Sequence, residues 1–451
     1  MTSFRILLIS AWMAIACLMA GCDESQQQGL DIIQIKGVAW ACNVNTSYAV
    51  FGSSSESEEN LEIFLPASEG DLIYMLLDDF QIYHRYSAAS GTSYTASFDT
   101  LKAVSAYLNG HLSYQELTSP ESLEAFMELS DAEMQQLSSL YIADVLTEDL
   151  ISNLNERESL IQGIGLILEN NSGSGRLQDL LSIVRPSFLV IDDSWTLPDP
   201  DRHISLSSLE LLWVEGNIEA LEKLARCCSN LESLIIADWE PVPGELLPLA
   251  DLKKLKSLTI AESSLISLSS IEFPPSLQNL YLINCDTLSD IEALLEMKNL
   301  SSLNLTQCER INNPGLVMGL ESLQRLSLPP GISHEEFREL PEHLQGLEVV
   351  ELVDCPDILD LSPLKALPEL RILQLQLERD QLSRLEDLNQ LELLVLTSEI
   401  FEDNPSLVNE LRATLPDTRI VPGSGICLGS GWFMLLLPLI LLFRLFFRRK
   451  A

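Results

Sequence analysis

The chain has 451 residues, with 66 acidic against 27 basic side chains and a formal charge of −39. That balance excludes the basic face that nucleic-acid binding requires, and it sets the body of the protein against anionic lipid head groups. The length exceeds one ordinary domain unless the chain is a repeat stack. Self-repulsion that keeps the protein soluble is the simpler reading of the charge, and a cationic partner the sharper one.

At the N-terminus, Arg5 precedes an apolar run from Ile6 to Met19, which ends in Ala20, Gly21 and Cys22. A basic start, a short apolar stretch and a small-residue exit mark residues 1–21 as an export signal rather than a spanning helix. Met19-Ala20-Gly21-Cys22 resembles the lipobox of bacterial lipoproteins. The resemblance implies cleavage before Cys22 and acylation of its thiol, so that two or more chains hold the protein on a membrane. An ordinary signal peptide with a chance cysteine is the alternative.

A short linker, 22–29, leads into residues 30–118. There Ile32 to Trp40 and Leu61 to Leu65 read as strands, and Leu72 to Tyr83 and Thr100 to Leu108 as helices, with a polar acidic loop from Ser53 to Asn60. This is expected to be a small mixed α/β domain, or an elaborate cap. Residues 119–136 read as a helical lead-in.

From there the chain repeats. Leu277 to Cys285 and Leu300 to Cys308 both fit LxxLxLxxC, and the same frame begins at Leu209, Leu231, Leu255, Leu323, Leu347, Leu370 and Leu391. Weaker frames start at Leu137, Ile161 and Pro186. A self-similar period of 20 to 30 residues signals a stacked architecture. In each frame the fourth and sixth positions alternate with outward neighbours, as a strand requires. One rung alone cannot bury its apolar side, so neighbours must. Helix-like pieces at Asp290 to Met297, Glu335 to Leu340 and Ser383 to Leu388 lie between frames.

The frames resemble the leucine-rich-repeat family over more than half the chain. Asp360 to Leu370 looks like the short bacterial subtype, and the cysteine-bearing frames lean toward the cysteine-containing one. The resemblance implies an α/β solenoid over residues 137–400, an arc with a parallel β-sheet on its concave face. It also implies that Cys285, Cys308 and Cys355 fill the turn position where Asn217 stands in another frame. Leu407 to Ile420 reads as a final helix and cap within 401–421.

The tail has three parts: a Gly/Ser/Cys stretch at 422–431 containing Cys427, an apolar helix at 432–447, and a basic end at 448–451. The apolar run from Ile426 to Phe443 is about 27 Å long as a helix, close to a hydrocarbon core. The arrangement resembles the tripartite sorting signals of Gram-negative bacteria, with removal of the tail and Cys427 as a modification point. A plain anchor helix is the alternative. Both ends imply one topology, with the body outside the cytoplasm, at a cell membrane or outer surface.

No catalytic motif stands out. The five histidines, His84, His111, His203, His334 and His343, show no metal-ligand spacing, and there is no HExxH, GxSxG or phosphate loop. The cysteines show no CxxC spacing, so neither zinc nor any other cofactor is expected. Asp78-Asp79 reads as a solvated helix face. Asp192-Asp193, Glu215, Asp238 and Glu262 recur near strand ends, either as a solvated edge or as an acidic ladder for a cation or basic partner. The outward positions of the frames offer Phe188, Val190, Leu211, Trp213, Ile235 and Tyr281, then Asn304, Arg325, Glu351 and Gln374. Aromatic side chains on a rigid sheet are typical protein-recognition anchors, so the first six form the candidate binding face. The expected function is a membrane-anchored scaffold that binds a protein or a glycan. An enzyme with its catalysis in 30–118, or a structural adhesion component, are the alternatives.

Overall fold

The frames from Leu209 onward fold as their alternation requires. In each, the fourth and sixth residues point into one core, and pairs such as Leu234 and Ile236, Leu258 and Ile260, or Leu280 and Leu282 are fully buried. The structure, a computed structural model, describes residues 113–423 together with strands between 32 and 87. Inside 113–423 it leaves out 136, 144–145, 170–175, 193, 196–205, 210, 217–220, 222–226, 243, 245, 354, 356, 359, 377–384, 386–387 and 398–404. The chain divides into two units at Val190/Ile191.

In the first unit the described residues before 88 are all strand. Strands β1 (Ile32–Ile35) and β4 (Leu61–Phe64) pair antiparallel. Strands β2 (Val38–Asn43), β3 (Tyr48–Ser53), β5 (Leu72–Leu77) and β6 (Ile82–Ser87) make an antiparallel sheet in the order β3-β2-β5-β6. Leu72 to Tyr83 is therefore not the expected helix. Its run Leu-Ile-Tyr-Met-Leu-Leu is short and apolar on every residue, a pattern periodicity cannot assign, and pairing on both sides by β2 and β6 decides it. The segment expected to be helical at Thr100 to Leu108, and Asp78-Asp79, lie outside the described residues.

A parallel ladder follows in the same unit. Strands β7 (Ser113–Leu117), β8 (Leu137–Ala143) and β9 (Gly165–Glu169) pair in sequence, and β10 (Phe188–Ile191) ends the unit. Among the described residues the ladder thus begins at Ser113, one strand before the first frame visible in the sequence. Helices run between the strands: α1 (Pro120–Met127), α2 (Asp131–Met134), α3 (Glu148–Glu156), α4 (Glu158–Ile161) and α5 (Leu177–Val184). The helical lead-in is two short helices because Ser119 and Ser130 each close a capping box.

The second unit is a stack of rungs. Strands β11 (Leu211–Glu215), β12 (Ser233–Ala237), β14 (Ser257–Ala261), β16 (Asn279–Ile283), β17 (Ser302–Asn304), β18 (Arg325–Ser327), β19 (Val349–Val353), β20 (Ile372–Gln376), β21 (Leu393–Thr397) and β22 (Arg419–Gly423) follow one another across a parallel sheet. The short strands β13 (Leu247–Pro248) and β15 (Ile271–Glu272) form a second parallel pair. The described strands do not form a curled sheet, so the concavity expected of an arc is not a feature of them. Between rungs, four of the described connections carry 3-10 turns, such as Glu292–Glu296 and Ser362–Ala366. One is a longer helix, α6 (His334–His343), started by a Ser333 capping box. Among the described residues the stack closes with α7 (Pro405–Thr414) and then β22, a further strand where a helix and cap were expected.

Polar side chains stitch rung to rung outside the strands. Asn299 Nδ2 donates to Pro275 O at 3.0 Å, and Ser322 Oγ to Leu300 O at 2.8 Å. Lys256 pairs with Glu232 at 2.9 Å, and the Arg371 guanidinium with Glu392. These pairs are partly exposed and contribute little each. The apolar interior carries the stack. Truncating a fully buried leucine costs about 2–5 kcal/mol. Leu303→Ala is expected to lower the stability read from urea unfolding of the full chain by about 3 kcal/mol. The half-exposed Leu295→Ala is expected to change it by no more than about 0.5 kcal/mol.

Candidate functional site

Parallel register converts frame position into rows on the sheet's outward side. Trp213 pairs with Ile235, Ile235 with Thr259, and Thr259 with Tyr281. The same row runs on through Asn304, Ser327, Glu351, Gln374 and Val395. Three of the expected face residues, Trp213, Ile235 and Tyr281, therefore share one row, with Thr259 between the last two. Leu211 stands in the neighbouring row, paired with Ser233. Phe188 and Val190 lie on β10, and Val190 is half-buried. The side chains of Phe188, Leu211 and Trp213 lie outside the described set.

The row offers water very little. Ile235 is 5 % exposed and Tyr281 2 %. The Tyr281 hydroxyl lies 2.8 Å from Ser302 Oγ. Farther along, the row turns polar while remaining buried. The Asn304 side-chain oxygen Oδ1 accepts from the Thr306 backbone amide at 2.8 Å, and the Ser327 hydroxyl donates to the Glu351 carboxylate. The Asn304 amide nitrogen is buried with no hydrogen-bond partner. The solvent-facing large apolar side chains of the described residues lie elsewhere. Ile266 is 63 % exposed, Val242 56 % and Leu246 52 %. Val242 and Ile266 are separated by the same step as Leu231 and Leu255, so they occupy equivalent places on successive rungs. The frame reading missed them because it scored only frame positions. The available signal was an apolar residue repeated at one offset beyond two consecutive frames.

Beside the row, at its C-terminal edge, five residues take left-handed backbone conformations: Gly216 (φ 68°), Asp238 (φ 53°), Glu262 (φ 51°), Asn284 (φ 52°) and Gln307 (φ 59°). All occupy the eighth place of their frames. The amides of Gly216, Asp238, Glu262 and Asn284 each donate to the carbonyl at the seventh place of the next rung, at 2.9 to 3.1 Å. The turn thus extends the ladder by one bond. Glycine and asparagine take this conformation easily, whereas Glu and Gln rarely do. The next rung has Pro330 at this place, and proline is fixed at negative φ.

This column brings together part of the acidic ladder anticipated from the sequence, namely Asp238 and Glu262, and the charge of Asp286, just past the turn, reaches Glu262. Burial, then the Asp238 charge, push the Glu262 carboxyl above its ordinary range, against a hydrogen bond from the Asn284 side chain, and Asp286 adds to the push. Nearby, Asp290 is held below the usual range, chiefly by the Ser267 hydroxyl and then by the Glu292 amide. Among the described residues no group of three or more His, Cys, Asp and Glu is arranged to hold a metal ion. His334 and His343 sit at opposite ends of α6.

The cysteines of the ninth place are buried as the turn reading expects. Cys285 Sγ lies 3.6 Å from Ile260 O, Cys308 Sγ 3.4 Å from Leu282 O, and Cys355 Sγ 4.0 Å from Leu328 O. Each thiol caps a carbonyl of the preceding rung. Cys228 is also buried, and burial pushes its thiol well up.

No protein-family model and no curated protein matches the chain. Among solved structures, an internalin from Listeria monocytogenes is similar at 15% identity, covering 68% of this chain and 72% of that one, with a TM-score of 0.29. A leucine-rich-repeat protein of Leptospira interrogans is similar at 16% identity over 68% of this chain and 99% of that one, TM-score 0.23. A chain of the Toll–Spatzle complex of Drosophila is similar at 14% identity over 78% of this chain and 46% of that one, TM-score 0.39. At these scores the likenesses carry no argument, and the fold rests on the frames and the strand register: a solenoid-like stack of repeats with a parallel sheet.

The left-handed column yields a test with a pH signature. A folded carboxyl whose pKa is raised binds its proton more tightly than in the unfolded chain. Stability is therefore lost as pH rises through the raised value and regained below the ordinary carboxylate range. Glu262→Gln is expected to stabilise the protein by about 0.5 kcal/mol at pH 7, a figure already reduced for solvent screening. The gain should disappear near pH 4. Glu262→Gly relieves the backbone as well, adding about 1 kcal/mol that persists at both pH values. Urea midpoints of the three proteins at the two pH values give the answer.

Proposed function

We propose that this chain is a non-enzymatic, protein-binding repeat scaffold, exported by a bacterium and held at its cell envelope. The observation that supports binding is the exposed pair Val242 and Ile266, with Leu246 beside them in sequence, on rungs whose other apolar side chains are almost all buried. Apolar side chains that a rigid stack leaves in water are the usual nucleus of a protein interface. Fixed rung spacing presents them without an ordering cost on binding. This moves the contact surface from the row of Ile235 and Tyr281, which are withdrawn from water, to the rung edge.

The envelope address rests on the sequence of the two ends. Residues 1–31 and 424–451 lie outside the described residues, and among those described no helix is long and apolar enough to cross a membrane. Cys22 as the lipid anchor and Cys427 as part of a processed tail complete the proposal, with the acidic body standing off the bilayer.

Two measurements check it. A photo-crosslinking residue at Val242 or Ile266, in the full chain expressed in its own cell, should give discrete protein adducts that the same residue at Leu295 does not. Adducts absent from both positions, or equal at all three, would overturn the rung-edge reading. Palmitate labelling should be lost in Cys22→Ala, and a mature chain still ending at Ala451 would refute removal of the tail.

A further inference from the structure

The rung register places two thiols one above the other. Asn279, Leu280 and Tyr281 pair with Ser302, Leu303 and Asn304. At the same offset, Cys285 falls directly under Cys308. Both side chains point into the core, 0 % and 1 % exposed. Both are free thiols. Adjacent strands stand about 4.8 Å apart, inside the Cα separation of roughly 4.4–6.8 Å that a disulfide accepts. Cys355 is the built-in contrast. Gly331 occupies the rung between it and Cys308, which leaves those two about 9.6 Å apart, beyond reach.

We propose that Cys285 and Cys308 are a redox-sensitive pair that closes into a disulfide staple across consecutive rungs. The neighbouring Cys308 sulfur holds the Cys285 thiol below its ordinary range, while Cys285 and burial push Cys308 up. Cys285, the thiol held lower of the two, opens the exchange. Its thiolate attacks one sulfur of a low-molecular-weight disulfide, releasing one thiolate and leaving a mixed disulfide on Cys285. Cys308 gives its proton to that departing thiolate and attacks the Cys285 sulfur. The second small thiolate leaves and takes a proton from water. Two protein thiols become one disulfide, and the small disulfide becomes two thiols. Because neither sulfur is exposed, the exchange proceeds while the rungs assemble or when the turn opens locally. Closure replaces the weak thiol contacts to Ile260 O and Leu282 O with a covalent tie that encloses one repeat.

The test uses the full chain refolded in a buffer of oxidised and reduced glutathione, with thiols blocked before digestion and non-reducing peptide mapping. The expected product is a Cys285–Cys308 linked peptide, lighter by two hydrogens than its separate halves, together with a higher urea midpoint than the reduced protein. Exchange started on the folded protein should be slower by at least about tenfold and should accelerate in mild urea, as local opening requires. Cys355→Ser should leave the linked peptide intact, whereas Cys285→Ser and Cys308→Ser should each abolish it. Cys285→Ala serves as a second variant, with circular dichroism reporting that its fold persists. The proposal is overturned if Cys285 and Cys308 both remain blocked as free thiols after oxidative refolding, or if either links to Cys355 instead.

Discussion

Everything in this protein depends on the inability of a single rung to bury its own leucines. A frame presents Leu, Leu and Leu or Ile along one side of a strand too short to fold back on itself. The side becomes dry only when an equivalent rung stacks above and below. That requirement fixes the register between strands, and register then decides the rest. It places frame positions in rows, gathers left-handed turns into one column and sets Cys285 beneath Cys308. Variation in repeat length, from 21 to 24 residues between successive frames, is expelled into the connections, where Val242 and Ile266 are found.

The fold was legible where burial is dictated by period. From Leu209 to Leu396, every position read as inward from the frame is buried, and the cysteine turn needed only the ninth position. Legibility failed where a segment lacks a period of its own. Leu72 to Leu77 is apolar throughout, so neither a helix nor a strand pattern can be read from it, and its two antiparallel neighbours settle the matter. Strand β7 was missed for a related reason. Ser-Tyr-Gln-Glu-Leu is polar at most places and becomes a strand by pairing with β8, a contact the local sequence does not encode.

The candidate site divides in the same way. Which residues share the outward row follows from counting, and Trp213, Ile235 and Tyr281 fall together as counted. How much water reaches them is a property of whole layers, and no count supplies it. The buried hydroxyl contact of Tyr281 with Ser302, and that of Ser327 with Glu351, pair polar groups within the face itself, although the Asn304 amide nitrogen stays without a partner. The exposed apolar edge escaped notice because it sits outside the frame. The strain at Glu262 likewise required a backbone angle, although Gly216, Asn284 and Pro330 at the same place are the residue types by which such a column begins, continues and ends.

That ending has a mechanical meaning. Pro329 and Pro330 offer no amide hydrogen, and the strands on either side of the β17–β18 contact have only three residues each, Ser302–Asn304 and Arg325–Ser327, where most of the other rung strands have five. The stack is therefore not equally strong along its length. Three successive contacts, β16–β17, β17–β18 and β18–β19, pair over only three residues each. A tensile load applied through the two ends of this unit is expected to find its softest stretch across those rungs, and not at the five-residue rungs on either side.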